Sequence, residues 1–239
     1  MRDHYAGDLS DLLKFNLLRS LVESDRKLGI AWFYVPGEDN PLDGKHRSWQ
    51  SESRWESLNK NIHATLVTLS TQSVSALEDQ LSWPAGVTYY GEPVPHHSHR
   101  PAWSADKQRK LKDVQIVFLD PDNGLGDATP KHATFDEVRV LRERGQTVIF
   151  ITFPKRIKHD WQVQELHRRL ATEARANRIL TIRISVSVPT KSGKGYVPTF
   201  RWFTLVDCDA ELDRRARQFG ALLQQCERVK VRIDEFAKV

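Results

Sequence analysis

The alternation of apolar strands with helical segments over residues 104–188 is the feature that most constrains this fold. The strand-like runs are short and rich in branched and aromatic side chains, and they cover residues 114–119, 147–153 and 179–188. Helical patterns precede or separate them over about 104–112, 135–144 and 158–176. Such spacing is typical of right-handed parallel βαβ units, so the sequence predicts a parallel sheet with helices on both faces.

The end of the chain departs from this pattern. Residues 179–188 and 199–206 are both strand-like, and the connection 189–196 is too short for a crossover helix. We therefore expect an antiparallel hairpin, followed by a helix over about 210–228. The predicted fold class is α/β, a doubly wound, mostly parallel sheet of Rossmann-like type that ends in an antiparallel hairpin.

Residues 8–24 predict a helix, because leucines at the i, i+3, i+4 spacing form one apolar stripe and Asp8 is placed to cap its start. Asp11 and Lys14 lie off that stripe. Their simplest interpretation is a solvated ion pair worth about 0.2–0.5 kcal/mol. The apolar run 28–35 then predicts a strand that is covered on both faces.

The next segment, residues 36–103, is rich in loops and predicts one or two helices over 52–81 and a short strand at 87–90. Proline-spaced residues 92–101 are expected to form an exposed loop without regular structure. We therefore expect one α/β domain, 1–239, with a loop-rich and helical insertion at about 36–103.

The composition argues against a membrane protein and a disulfide-rich protein. The 239 residues are 39% apolar and 28% charged, and they contain no apolar run of about eighteen residues and no apolar leader, so we expect a cytoplasmic protein with no membrane partner. The two cysteines, Cys208 and Cys226, form neither a disulfide framework nor a zinc set. The net charge of +5 allows an anionic partner such as nucleic acid without requiring one.

The strongest chemical signal is the acidic turn, Asp120-Pro121-Asp122-Asn123, which follows the apolar strand 114–119. Ligands of open parallel sheets bind beyond the carboxyl ends of the strands, where these side chains are expected. Asp, Asn and Gly also serve ordinary turns. Two carboxylates and an amide within four positions favour a functional site.

Two segments resemble a family of bacterial adenine-N6 methyltransferases that act on large-subunit ribosomal RNA. That family begins with His-Ala-Gly-Asn and Ala-Asp-Val-Leu-Lys, and carries Asp-Pro-Pro-Tyr after its fourth strand. The matching positions are Ala6, Gly7, Asp11, Leu13, Lys14, Asp120 and Pro121. The chain is also similar to an uncharacterised bacterial family with a Gly-Asp-x-x-Asp-x-x-Lys start and a Leu-Asp-Pro-Asp-Asn-Gly motif.

The methyltransferase resemblance implies an S-adenosylmethionine (AdoMet) cofactor and a nucleic-acid substrate, RNA or DNA. Lys14, with Asp11, would lie near the methyl donor. Asp120 and the Pro121 carbonyl would accept hydrogen bonds from the amino group of a base and hold its nitrogen toward the methyl group. Such alignment can supply up to about 7–11 kcal/mol of barrier reduction.

The sequence departs from that family at Asp122 and Asn123, which replace proline and a base-stacking aromatic residue. The loop after the first strand lacks the usual Gly-x-Gly turn, although Glu38 or Asp39 could bind a ribose hydroxyl there. A second hypothesis is therefore a metal-dependent phosphodiesterase or nuclease. Its Mg²⁺ would be held by Asp120 and Asp122 with Glu38, Asp39 or Asp43, and Lys45 or Lys155 would stabilise the phosphate charge.

A third hypothesis is a nucleic-acid-binding module that has lost catalysis. It would use a basic rim at Lys155, Arg156, Lys158 and His159, extended by Lys191 and Lys194. The tryptophans of the insertion could stack on bases or fill the core: Trp49, Trp55, Trp83 and Trp103. His96, His97 and His99 are interpreted as exposed loop residues rather than zinc ligands. Arg201 and Trp202 are interpreted as structural.

Overall fold

The computed structural model describes residues 1–22, 25–37, 47–55, 57–190 and 192–238. The helices are α1 (Leu9–Leu21), α2 (Lys60–Val67), α3 (Val74–Gln80), α4 (Arg100–Lys110), α5 (Phe135–Glu143), α6 (His159–Thr172) and α7 (Ala210–Gln224). The strands are β1 (Leu28–Trp32), β2 (Val87–Tyr90), β3 (Ile116–Asp120), β4 (Thr147–Thr152), β5 (Arg178–Pro189), β6 (Tyr196–Val206) and β7 (Val229–Ala237). Within these ranges, no helix has the length and apolarity needed to span a membrane.

The strands form one seven-stranded sheet in the order β2-β1-β3-β4-β6-β5-β7. Neighbours among β1 to β4 pair in parallel. β6 is antiparallel to both β4 and β5, so β5 runs in the same direction as β4. The expected α/β class, a mostly parallel sheet that ends in an antiparallel hairpin, is therefore confirmed.

The core lies on both faces of this sheet. Alternate residues of β3 enter opposite apolar layers: Phe118 packs with the layer that contains α1 and α7, and Val117 with the layer that contains α4, α5 and α6. All five residues of β1 and of β3 are buried. Because the strand interiors are held from both sides, the residues just beyond their ends occupy fixed positions.

Three details differ from expectation. The segment 92–101 is not wholly irregular, because a 3₁₀ turn at His97–His99 leads directly into α4, whose first turn accommodates Pro101 without losing a helical hydrogen bond. The final helix ends at Gln224 rather than near residue 228. It is followed by β7, which pairs antiparallel with β5 and alternates charged with apolar residues as an edge strand does.

A buried ion cluster joins α4 to α5. The Glu137 carboxylate accepts hydrogen bonds from Arg100 Nη2 at 2.9 Å and from Lys107 Nζ at 2.8 Å. Burial alone would raise the pKa of Glu137, but the two cations lower it to about 2. Lys107 shares this single anion with Arg100, so burial prevails at the lysine and lowers its pKa to about 8.

We expect Glu137→Gln to destabilise the protein by about 3–5 kcal/mol, because it leaves two buried cations without their counter-ion. Urea unfolding at pH 7 measures this loss. The matched control is Glu143→Gln on the same helix, whose exposed carboxylate pairs with Arg139 and should matter by less than about 1 kcal/mol.

The difference in unfolding free energy between wild type and Glu137→Gln should depend on pH. A depressed pKa means that the stabilisation from ionised Glu137 is complete above the ordinary pKa of 4.5 and is lost as the pH falls toward about 2. The difference between wild type and Glu137→Gln should therefore shrink between pH 5 and pH 2. An unchanged difference across that range would contradict the assignment.

Candidate functional site

A cleft of about 420 Å³ opens at the carboxyl edge of the parallel strands. Its walls come from the start of α1, the loops after β3 and β4, and the first residues of β6. The acidic turn, Asp11 and Lys14 all line it. Two segments that lie more than a hundred residues apart in sequence therefore meet at one site, as the motif analysis expects.

The acidic turn is held by its own loop and by β4. The Asn123 N–H donates to the Lys131 carbonyl at 2.9 Å, and the Ala133 N–H donates to the Gly124 carbonyl at 3.1 Å. Gly124 has a φ of +85°, and a Cβ built there would lie 2.7 Å from Thr152 Oγ1. Glycine is therefore required both by the backbone conformation and by the close approach to β4.

Lys14 is the central charge of the cleft. Its ammonium donates to Asp11 Oδ1 at 2.6 Å and to Asp120 Oδ2 at 2.8 Å. Lys14 is 2% exposed and Asp120 is 3% exposed. This is not the solvated helix face that is the simplest expectation for Asp11 and Lys14, because the wide buried surface of α1 includes both.

The protonation of this group follows from burial and charge. Burial would lower the pKa of Lys14, but Asp11 and Asp120 together raise it above its ordinary value, so the lysine stays charged. Burial raises the pKa of Asp120, and Lys14 opposes that shift. Burial likewise raises the pKa of Asp11 against the attraction of Lys14.

The start of α1 carries a second layer of polar contacts. Asp8 caps the helix, and its Oδ1 accepts from the N–H groups of Ser10 at 2.7 Å and Asp11 at 3.1 Å. The Gly7 N–H donates to Asp11 Oδ2 at 2.8 Å. Asp11 thus joins the backbone before the helix to Lys14 within it, which fixes the lysine relative to β3.

The second carboxylate of the acidic turn has a different partner. The ammonium of Met1 lies 2.7 Å from Asp122 Oδ1 and donates to the Phe33 carbonyl at 2.6 Å. Asp120 and Asp122 therefore face separate cations. Among the residues that the structure describes, no three Asp, Glu, His or Cys side chains gather as a metal-binding group.

The other expected site residues are described only in part. Glu38, Asp39, Asp43, Lys45 and Lys191 are outside the described residues. Of the basic rim, Arg156 lines the cleft, whereas Lys155 and Lys158 are exposed beside it and Lys194 is exposed in the hairpin connection. His96, His97 and His99 are exposed, as expected.

The tryptophans of the insertion do not form an exposed stacking surface. Trp49, Trp55 and Trp103 are buried in the core, and Trp83 is partly buried against it. They pack because this segment covers the sheet with its own apolar side chains. The exposed indole is that of Trp161 on α6, which is 62% exposed.

Arg201 is a site residue that its sequence context did not predict. Arg201 lines the cleft from β6, and Lys131 and Phe200 line it as well. One signal could have identified it: Arg201 is the single charged residue in the run 200–206, which is apolar at every other position except Thr204. A buried strand normally has an apolar side chain at such a position.

No family model and no curated protein matches this sequence. A solved structure with the same overall fold is protein LPL1258 of Legionella pneumophila, from family DUF519, with a TM-score of 0.53 and 12% identity over 98% of this chain and 99% of that one. A precorrin 8w decarboxylase of Methanobacterium thermoautotrophicum aligns over 82% of this chain and 87% of its own, with a TM-score of 0.31 and 10% identity. The first comparison supports the fold assignment.

We expect Gly124→Ala to destabilise the protein more than Gly145→Ala. Both glycines have a positive φ, of +85° and +81°, but only Gly124 approaches another side chain. Gly145→Ala, the control, should lower the free energy of unfolding by about 1–2 kcal/mol through backbone strain. Gly124→Ala should lower it by about 1–3 kcal/mol more, because the new methyl group overlaps Thr152. Thermal or urea unfolding measures both. Adding Thr152→Ala should recover part of the extra loss, and equal losses in the two single variants would contradict this packing.

Proposed function

We propose that this protein is an AdoMet-dependent methyltransferase that acts on an amino group of a nucleic-acid base. The observation that carries the proposal is the contact between Lys14 and Asp120. These residues belong to the two motifs that resemble the rRNA adenine-N6 methyltransferases, and they share one buried ion pair at the edge where ligands of such sheets bind.

The state of Asp120 suits a positioning role. Its Oδ2 is occupied by Lys14, and its Oδ1 accepts no hydrogen bond from the described residues. Lys14 favours the ionised form of the carboxylate and fixes its orientation. Oδ1 is then the atom that would accept a hydrogen bond from a base amino group, with the Pro121 carbonyl as the second acceptor.

The cleft also offers aromatic rings to a base. Asn123 replaces the family's stacking residue, but Tyr5, Phe153 and Phe200 all line the cleft. A base held by Asp120 could stack on one of these rings instead. The departure at Asn123 is therefore compatible with base recognition.

The charges of the cleft are compatible with AdoMet. On the α1 and β3 side of the cleft, two buried carboxylates, Asp11 and Asp120, share the single ammonium of Lys14. The cation linked to Asp8 is Arg201, through the hydroxyl of Ser10. An excess of buried carboxylate attracts the positive sulfonium of the cofactor. When bound, AdoMet supplies an electrophilic methyl group; the residues of the chain bind, orient and exclude water.

A surface beside the cleft supports a nucleic-acid partner. In the loop after β4 and the start of α6, Ile157 is 67% and Trp161 62% exposed, next to Lys155, Arg156 and Lys158. Gln162 bonds to the Lys155 backbone through both ends of its amide, which braces this loop. An exposed aromatic ring such as that of Trp161 among cations is typical of surfaces that bind single strands.

We expect calorimetry to detect binding of AdoMet and of S-adenosylhomocysteine, and tritiated AdoMet to label an adenine-containing single-stranded RNA or DNA. Asp120→Asn should lower the labelling rate roughly 100-fold, because a misplaced acceptor loses the alignment. Asp136→Asn, an exposed carboxylate on α5, is the control and should label like wild type. Binding of neither compound at high protein concentration would eliminate this function.

We expect Trp161→Ala to weaken binding of a fluorescent single-stranded oligonucleotide by about 1–3 kcal/mol, the usual contribution of one stacked base. The control is Leu222→Ala, which removes an exposed apolar side chain on α7. Anisotropy across a salt series measures both variants. Three phosphate contacts predict that log K for binding falls with log salt concentration with a slope of about −2. An affinity that does not change with salt would argue against a nucleic-acid partner.

A further inference from the structure

Arg201 is a buried cation at the wall of the cleft, and within the described ranges its hydrogen bonds go only to hydroxyl groups. It is 3% exposed. Its Nε donates to Ser10 Oγ at 2.8 Å and its Nη1 donates to Thr199 Oγ1 at 2.7 Å. Its remaining terminal nitrogen, Nη2, has no partner among the described residues.

A buried guanidinium ordinarily faces a carboxylate or another anion. Arg201 forms no ion pair within 4.0 Å in the described part of the chain, although Glu137 and Asp234 pair with Arg100 and Arg183 in this way. Its nearest link to a carboxylate runs through Ser10, whose hydroxyl lies 3.3 Å from Asp8 Oδ2. Burial lowers the pKa of Arg201, and Asp8 only partly offsets that effect.

We propose that Arg201 forms an oxyanion subsite of the cleft, which takes a phosphate of the nucleic-acid strand whose base lies at Asp120. This inference rests on the proposed nucleic-acid substrate and names the residue that holds its backbone. Three N–H donors of the guanidinium are not used by the described residues, one on Nη1 and two on Nη2. A pair of them could bind two oxygens of a phosphodiester.

The surrounding charges allow such an anion. Lys14 neutralises Asp11 and Asp120 in part, and the Met1 ammonium pairs with Asp122. The remaining carboxylate is Asp8, whose Oδ1 accepts from the N–H groups of Ser10 and Asp11 and whose Oδ2 accepts from the Ser10 hydroxyl. Each carboxylate that lines the cleft among the described residues is therefore already engaged by a cation or by hydrogen-bond donors.

Two further cations favour a phosphate strand over a single carboxylate. Lys131 and Arg156 line the same cleft, and neither forms an ion pair with a described residue. A carboxylate, such as the one AdoMet carries, needs one such cation. A nucleic-acid backbone presents charges in series and can contact several cations spaced along its path.

The test compares wild type, Arg201→Gln and Arg201→Lys in binding a fluorescein-labelled single-stranded RNA and, separately, S-adenosylhomocysteine. Arg109→Gln, an exposed arginine on α4, is the control. We expect Arg201→Gln to weaken RNA binding at least tenfold, Arg201→Lys to restore it only in part because it lacks the planar fork, and S-adenosylhomocysteine binding to remain unchanged. Far-UV circular dichroism and thermal unfolding verify that each variant is folded.

A measurement on wild type avoids dependence on variant folding. The Nε–H resonance of Arg201, assigned by its absence from Arg201→Lys, should shift when the RNA is added, and inorganic phosphate should compete with that shift. Weaker S-adenosylhomocysteine binding with unchanged RNA binding would assign the subsite to the cofactor carboxylate and overturn the proposal. An RNA that binds without moving the resonance, or fails to bind, would overturn it too. If the protein transfers no methyl group but still binds RNA in a way that depends on Arg201, the proposed activity is rejected and the phosphate subsite stands.

Discussion

The geometry of the cleft depends on burying one lysine between two carboxylates. Lys14 joins α1 to the end of β3 across 106 residues of sequence. Its ammonium also lies 5.4 Å from the ring of Trp32, among the apolar side chains of the core. Breaking a buried pair of this kind by removing one partner commonly costs about 3–5 kcal/mol, so the contact constrains both the fold and the site.

The strands and helices were largely predictable because their signals are local. The runs of β3, β4 and β5 are apolar and branched, and the short connection to β6 admits little besides a hairpin. β7 was missed because it alternates charged with apolar residues, a pattern typical of an edge strand that also fits a polar tail. The assignment of one domain with an insertion stays a prediction.

The candidate site was predictable only in part. The acidic turn and Lys14 were identified from their position and motif, but whether Lys14 meets solvent or Asp120 depends on how α1 packs against the sheet. Helical periodicity separates apolar from polar positions and does not reveal a polar residue buried beside another charge. Strand alternation has the same limit. It does not show that Arg201 meets Ser10 at the wall of the cleft, because that contact depends on how α1 packs against β6.

The strand order has a consequence for how the chain is made. β6 lies between β4 and β5, although β5 emerges from the ribosome first. β1 to β4 can already pair in parallel at that stage. Until Val206 is available to pair with Val148, however, the other edge of β4 has unpaired backbone N–H and C=O groups. A nascent chain that stalls after β5 therefore exposes an unpaired strand edge, which can pair with other chains and aggregate. We expect a chaperone to protect the chain against aggregation during that interval of translation.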